Sequence, residues 1–188
     1  MNKNLIYLIG FPGSGKFTVA KELCKIIDAV IVQNNMFNDI IFNIVNLKGN
    51  NVPDNLWNSI FKVRENLLAI LGKYHSKSKH YIFTNELIEG DCYDRKIYDS
   101  VVNLSNSMQV KMLPVVLHCS DIGELMKRIQ FEERRQYNKI TNLYYAMERT
   151  REKKLFIPPN ALEIDNSNLS AEKVAKRIIE EMEKMSKN

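Results

Sequence analysis

Only three cysteines and seven glycines occur in the 188 residues, and no apolar run is long. Cys24, Cys92 and Cys119 are odd in number, are not closely paired and have no histidine or second cysteine at metal-ligand spacing. That pattern excludes a disulfide framework and a zinc centre, and buried free thiols are expected instead. The apolar stretches are broken by Asn, Lys or Glu well short of the ~20 residues that cross a bilayer. Met1-Asn2-Lys3 imitates the charged start of a signal peptide, but the apolar run behind it meets Gly-Phe-Pro-Gly after about six residues, with no small-residue cleavage site. A protein without a membrane partner, in the cytoplasm, is therefore expected. No internal repeat, low-complexity tract or linker divides the chain, whose length suits one compact domain, residues 1–188. A net charge of +5 selects no partner; nucleic acid is not expected, and nothing here speaks to an oligomeric state.

What the chain does contain is an alternation of short apolar runs with segments of helical period, the pattern of βαβ units on a parallel sheet. Strands are predicted at Leu5–Ile9, Ala29–Val32, His80–Thr84, Val110–His118 and Ala161–Ile164. Helices are predicted near 16–27, 36–47, 54–73, 92–107, 121–131, 143–154 and 170–185. Asp121 with Glu124 reads as a capping box, and Leu169 before Ser170 as a staple onto Val174. Residues 48–51 and 132–142 read as exposed connections.

Three of the seven glycines fall between residues 10 and 15. Gly10 to Lys16 read GFPGSGK, directly after the first strand and directly before a helical pattern through Val19, Ala20, Leu23, Ile26 and Ile27. This is the context of a G-x-x-x-x-G-K phosphate loop, in which glycines let successive N–H groups face one anion at a helix N-terminus. Gly13 and Gly15 stand where a Cβ would obstruct the loop, Pro12 stiffens it, and Ser14 completes it. Lys16 is expected between the β and γ phosphates of ATP. The next residue departs from the usual pattern: Phe17 replaces the Ser or Thr whose hydroxyl reaches Mg2+, leaving only the hydroxyl of Thr18, at the α phosphate.

GKFTVA resembles adenylate kinases, where Gly and then Thr follow the lysine and magnesium is reached largely through water. It resembles more closely a family of small bacterial P-loop proteins with a GKLTVA motif, labelled AAA family ATPase or shikimate kinase-like. The resemblance extends through QNNMFND, KVRENLL, YIFTNEL, FEERRQYNKITN and LEIDNSNLS. It implies a three-layer P-loop NTPase fold of the nucleoside-monophosphate and shikimate kinase kind, with a five-stranded parallel sheet in the order 2-3-1-4-5, acceptor-binding helices at about 34–73 and a kinase-type lid at about 132–142.

In an open α/β sheet both ligands gather at the carboxyl ends of the strands. After strand two, Asn34 and Asn35 stand where shikimate kinases carry aspartates, so an acceptor contact there would be made by amides. Asp39 is the nearest acid, or else a solvated first-turn residue. Arg64 falls in phase with the stripe of Leu56, Trp57, Ile60, Phe61, Leu67, Leu68 and Leu71. It is either an acceptor contact, as the shikimate-type resemblance implies, or an internal ion pair or snorkelling stem. Thr84 and Glu86, at the end of strand three, can order a magnesium water or activate the acceptor hydroxyl, unless Glu86 is an ordinary loop acid. No Asp of Walker B type and no triple glycine accompany them.

Arg128, Arg134, Arg135 and Lys139 fit a lid that excludes water and stabilises the transferring charge, with Arg128 and Arg135 the first choices and Arg149 or Arg151 in reserve. A solvated basic helix is the alternative. Asp165 to Asn168 fall where relatives of this fold touch adenine through the backbone, which places Asn166 at the base. Asn138-Lys139-Ile140 lacks the acid of a guanine reader, and neither an AAA+ helical domain nor an ABC signature is present. The reading is an ATP- and Mg2+-dependent phosphotransferase for a small metabolite. The alternative is a nucleotide-binding regulatory or nucleic-acid-associated module without efficient transfer.

Overall fold

A computed structural model describes residues 3–46, 52–132 and 141–187. The strands are β1 Asn4–Ile9, β2 Ala29–Gln33, β3 His80–Asn85, β4 Lys111–His118 and β5 Leu162–Asp165. Seven helices are described: α1 Lys16–Ile26, α2 Asn34–Val45, α3 Asp54–Tyr74, α4 Cys92–Met108, α5 Ile122–Gln130, α6 Leu143–Glu152 and α7 Ala171–Lys187. The strands pair in parallel in the order β2-β3-β1-β4-β5. This is the three-layer α/β arrangement expected from the alternating pattern.

All six residues of β1 are buried, because the central strand of a doubly covered sheet must be apolar on both sides. Leu5, Tyr7 and Ile9 face a core with Phe83, Leu68 of α3 and Ile97, Val101 and Leu104 of α4. Ile6 and Leu8 face a second core with Val19 and Leu23 of α1 and Val174 and Ile178 of α7. The opposed cores hold β1 in register with both neighbours, so Ile9 lies beside Asn85 and Val116 and the Gly10–Lys16 loop leaves the middle of the sheet.

Differences from the sequence expectation are local. Helix α2 begins at Asn34, with no turn after β2. Strand β4 begins at Lys111, because α4 ends in a left-handed Gln109 and the Val110 N–H turns back to the Ser105 carbonyl. Asp121 caps α5 by accepting from the Glu124 N–H at 3.0 Å, but the Glu124 carboxylate reaches forward to Arg128, so only half of the box forms. The thiols are less buried than expected, since Cys92 in the first turn of α4 is exposed and Cys24 and Cys119 are half-buried. No described helix is long and apolar enough to cross a membrane. Residues 48–51, and Arg134, Arg135 and Lys139 of the expected lid, lie outside the described residues.

Candidate active site

The loop from Gly10 to Gly15 closes on itself and presents the start of α1. Gly13 and Gly15 have φ of 87° and 85°, in the left-handed region that side chains disfavour. A Cβ at Gly13 would also come within 2.6 Å of Leu125 Cδ1 in α5. Gly15 caps α1 without any side-chain hydrogen bond, and no acid occupies the first turn. The leading N–H groups of α1 therefore carry the partial positive charge of the helix with no side-chain carboxylate against them. Lys16 curls back, its Nζ donating to the carbonyls of Gly10 and, at 2.9 Å, Phe11. An uncapped helix start with an ammonium beside it is chemically suited to phosphate oxygens.

The loop is braced from behind. Ser14, 1% exposed, accepts at its carbonyl from Asn166 Nδ2 at 2.8 Å. Asn166 in turn accepts from Arg128 Nη1 at 2.9 Å, while Arg128 Nη2 donates to the Asn166 carbonyl and Nε to Glu124. Every guanidinium nitrogen of Arg128 thus has a partner within this brace. The structure places Arg128 and Asn166 together behind Gly15, and neither is among the residues that line the cavity beside it.

That cavity, of about 780 Å³, opens beside Gly13, Lys16 and Thr18 and runs under α2, α3 and the start of α4. It brings together Pro12, Lys16, Phe17, Thr18, Asn34 and Asn35, and continues to Thr84 and Glu86. Phe17 is half-buried with the Lys21 ammonium over its ring at 5.1 Å, and Thr18 is exposed. Glu86 is bound to Arg149 of α6 at 2.7 Å. Burial works against the Arg149 charge, but Glu86 more than offsets it and raises the Arg149 pKa. Helix α6 is held in place from its far end: the Phe156 N–H donates to the Leu87 carbonyl and the Glu89 N–H to the Lys154 carbonyl, both at 2.9 Å.

Arg64 stands apart from the lining residues. It is 0% exposed, donates to Asn34 Oδ1, and lies over the Phe37 ring at 4.3 Å. Its Nε and Nη1 have no hydrogen-bond partner, and burial lowers its pKa. The guanidinium is buried away from solvent, so it is not a snorkelling stem; it donates to Asn34 from behind and is not among the residues that line the cavity.

The chain folds as P-loop kinases do. A sugar kinase from Janibacter sp. HTCC2649 superposes with a TM-score of 0.58 at 14% identity, over 94% of this chain and 92% of that one. APS kinase from Mycobacterium tuberculosis, in complex with AMPPNP and APS, gives 0.54 at 15% identity over 97% and 98%. The tunicamycin resistance protein of Deinococcus radiodurans gives 0.57 at 10% identity over 96% of both chains. No protein-family model matches the chain, and no curated protein matches it in sequence.

Sequence reasoning missed Asp94, Tyr93 and the role of Trp57. All three line the cavity. Asp91 is a helix-start acid: its Oδ1 accepts the N–H groups of Tyr93 and Asp94. Asp94 is different. Its Oδ2 accepts from the Ile88 N–H at 2.8 Å, and burial pushes its carboxyl up to about 6. The signal available was the spacing D-x-x-D at the start of α4, which alone does not distinguish a cap from a site.

Proposed function

We propose that the protein is an ATP-dependent phosphotransferase acting on a small metabolite. The observation that carries this reading is the uncapped start of α1, with Lys16 beside it, opening into a cavity that extends well past the phosphate loop. A nucleotide alone needs the loop; the cavity beyond it, walled by helices within 34–73, gives a second substrate its place. GKFTVA differs from the GKLTVA pattern by one large apolar residue, which supports a working loop rather than a lost one. A cytoplasmic location, where ATP is supplied, accords with it.

In this reading the N–H groups from Gly13 to Lys16 and the Lys16 ammonium hold the β and γ phosphates, and Thr18 meets the α phosphate. Lys16 stabilises charge that grows on the transferring phosphoryl group. Arg149, fixed by Glu86, stands across the cavity as a second cation, and Arg135 is proposed to join from the lid. Arg128 keeps its brace on Ser14 and reaches a nucleotide only by exchanging a partner. The described residues include no cluster of acids, histidines or cysteines that would hold a metal by itself. Mg2+ would enter on the triphosphate and be held through water by Thr18 and Glu86, neutralising charge on the phosphate oxygens.

Lys16→Ala is the test. ATP affinity by calorimetry is expected to fall at least a hundredfold with the fold intact by circular dichroism. Unchanged affinity would remove the site. Tight ATP binding by the wild type, with no acceptor-dependent ADP release from any metabolite panel, would favour the non-transferring module.

A further inference from the structure

Beyond the phosphate loop, the lining of the cavity has a chemistry of its own. One wall is aromatic: Trp57 packs edge-on to Phe42 and Tyr93, with ring centroids 5.8 and 5.7 Å away. The lining is also amide-rich, with Gln33, Asn34, Asn35, Asn38 and Asn58. An amide carries donors and an acceptor together, as hydroxyl groups require, and Asn34, whose Oδ1 accepts from Arg64, keeps its amide N–H groups for a ligand. The charged lining here is acidic, from Asp39, Asp91 and Asp94. Among the described residues the only cations lining the cavity are Lys16, at the phosphate loop, and Arg149, joined to Glu86. Arg64 does not reach it.

An independent observation points to a polar ligand. Asn85 lines the cavity at 2% exposure, and neither Nδ2 nor Oδ1 has a hydrogen-bond partner. A buried amide with both functions unmet is costly unless something polar completes it.

We propose that the acceptor is a polyhydroxylated molecule, neutral or amino-bearing, without a carboxylate or phosphate, seated between Trp57 and the α2 amides with its reacting hydroxyl at Asp94. The inference rests on the phosphotransferase reading and deepens it. Apolar C–H faces of such a molecule lie on the aromatic wall while its hydroxyls exchange hydrogen bonds with the amides. Among the described residues an anionic acceptor meets three carboxylates, and no lining cation besides Lys16 at the phosphate loop and Arg149 joined to Glu86. In the transfer step the acceptor oxygen forms its bond to the γ phosphorus as the bond from γ phosphorus to the bridging β oxygen breaks. The electron pair leaves with ADP, and the hydroxyl proton passes to the Asp94 carboxylate and then to water. Asp94 is suited to this because Glu86 is already joined to Arg149, whereas Asp94 holds only a backbone N–H on one oxygen.

The experiment uses matched pairs: glucose with gluconate, glucosamine with glucuronate, myo-inositol with its monophosphate, and adenosine with AMP. ADP release is measured with Mg-ATP, and calorimetry with a non-hydrolysable ATP analogue reads binding separately. Neutral or amino members are expected to bind and to react with kcat/KM at least tenfold above their anionic counterparts. Asp94→Asn, which keeps an acceptor for the Ile88 N–H, is expected to lower kcat at least a hundredfold with the Kd of ATP unchanged. Preference for an anionic member, or Asp94→Asn within threefold of wild type, overturns the inference and leaves the phosphotransferase reading standing. Binding of neutral members with no turnover overturns that reading and Asp94's part while supporting the ligand class; binding of none overturns all of it.

Discussion

Asp94 faces charges from several directions: Asp91 and Tyr93 on its own helix, Glu86 after β3, Arg149 on α6, Arg64 on α3 and Tyr7 on β1. Burial dominates and holds the carboxyl at about 6, above the ordinary range. A raised acid pKa means that folding takes up a proton between about pH 4 and pH 6, so this group's contribution is fully present at low pH and is lost as pH rises through that window. Ionised Asp94 thus costs stability at neutral pH. Asp94→Asn is expected to raise Tm by a few degrees at pH 8, corresponding to about 1 kcal/mol after solvent screening, and to give no gain at pH 4. A lower Tm at pH 8 would contradict this. Arg64 belongs to the same scale. Arg64→Met keeps the buried volume and removes a desolvated charge, so Tm should stay within a few degrees. Because Arg64 orients Asn34, the KM of the acceptor should rise while that of ATP does not; equal effects on both would exclude the positioning role.

Helix α5 and the turn after β5 act on the phosphate loop through contacts far apart in sequence. Leu125 and Ile129 crowd Gly13, and Arg128 holds Asn166 against the Ser14 carbonyl. Asn166→Ala removes a buried donor to that carbonyl and an acceptor of Arg128, at a cost of about 2 kcal/mol. The expected result is a Tm lower by several degrees and about tenfold weaker ATP binding, read by thermal melts and calorimetry. Weaker binding with no change in Tm would mean that Asn166 touches the nucleotide directly. Helix α6 is set by a different device, the backbone bonds between residues 87–89 and 154–156, which bring Arg149 to Glu86.

Across the molecule, two apolar cores fix the sheet, and the cavity lies where α2, α3 and α4 pass over its carboxyl edge. A ligand in the cavity would touch the phosphate loop, β3 and α6 at once, adding to the Gly10–Asn85 and Glu86–Arg149 contacts that already link them. ATP at a hundred times its Kd should add about 2.7 kcal/mol, a Tm rise of several degrees in a chain of this size. Scanning fluorimetry with and without Mg-ATP checks this, and no shift for wild type would count against nucleotide binding.

The strand pattern, the phosphate loop and the helix starts were legible because each depends on neighbours within a few residues: apolar periodicity, glycines before Lys16, and caps such as Asp121. The order 2-3-1-4-5 was legible only by resemblance. The hydrogen-bond partners of Arg64, Arg128, Asn166 and Asp94 were decided by tertiary structure. An in-phase arginine reads alike whether it opens to a cleft or stacks on Phe37. A helix-start aspartate reads alike whether solvated, as a cap, or buried at a cavity. Local sequence determined which segments form strands and which helix start is left uncapped after the glycines, since those are short-range properties of backbone and side chain. Which charges are desolvated, and beside whom, depends on packing among residues 30 to 152 positions apart, as between Asn34 and Arg64 or Ser14 and Asn166, and folding alone settles that.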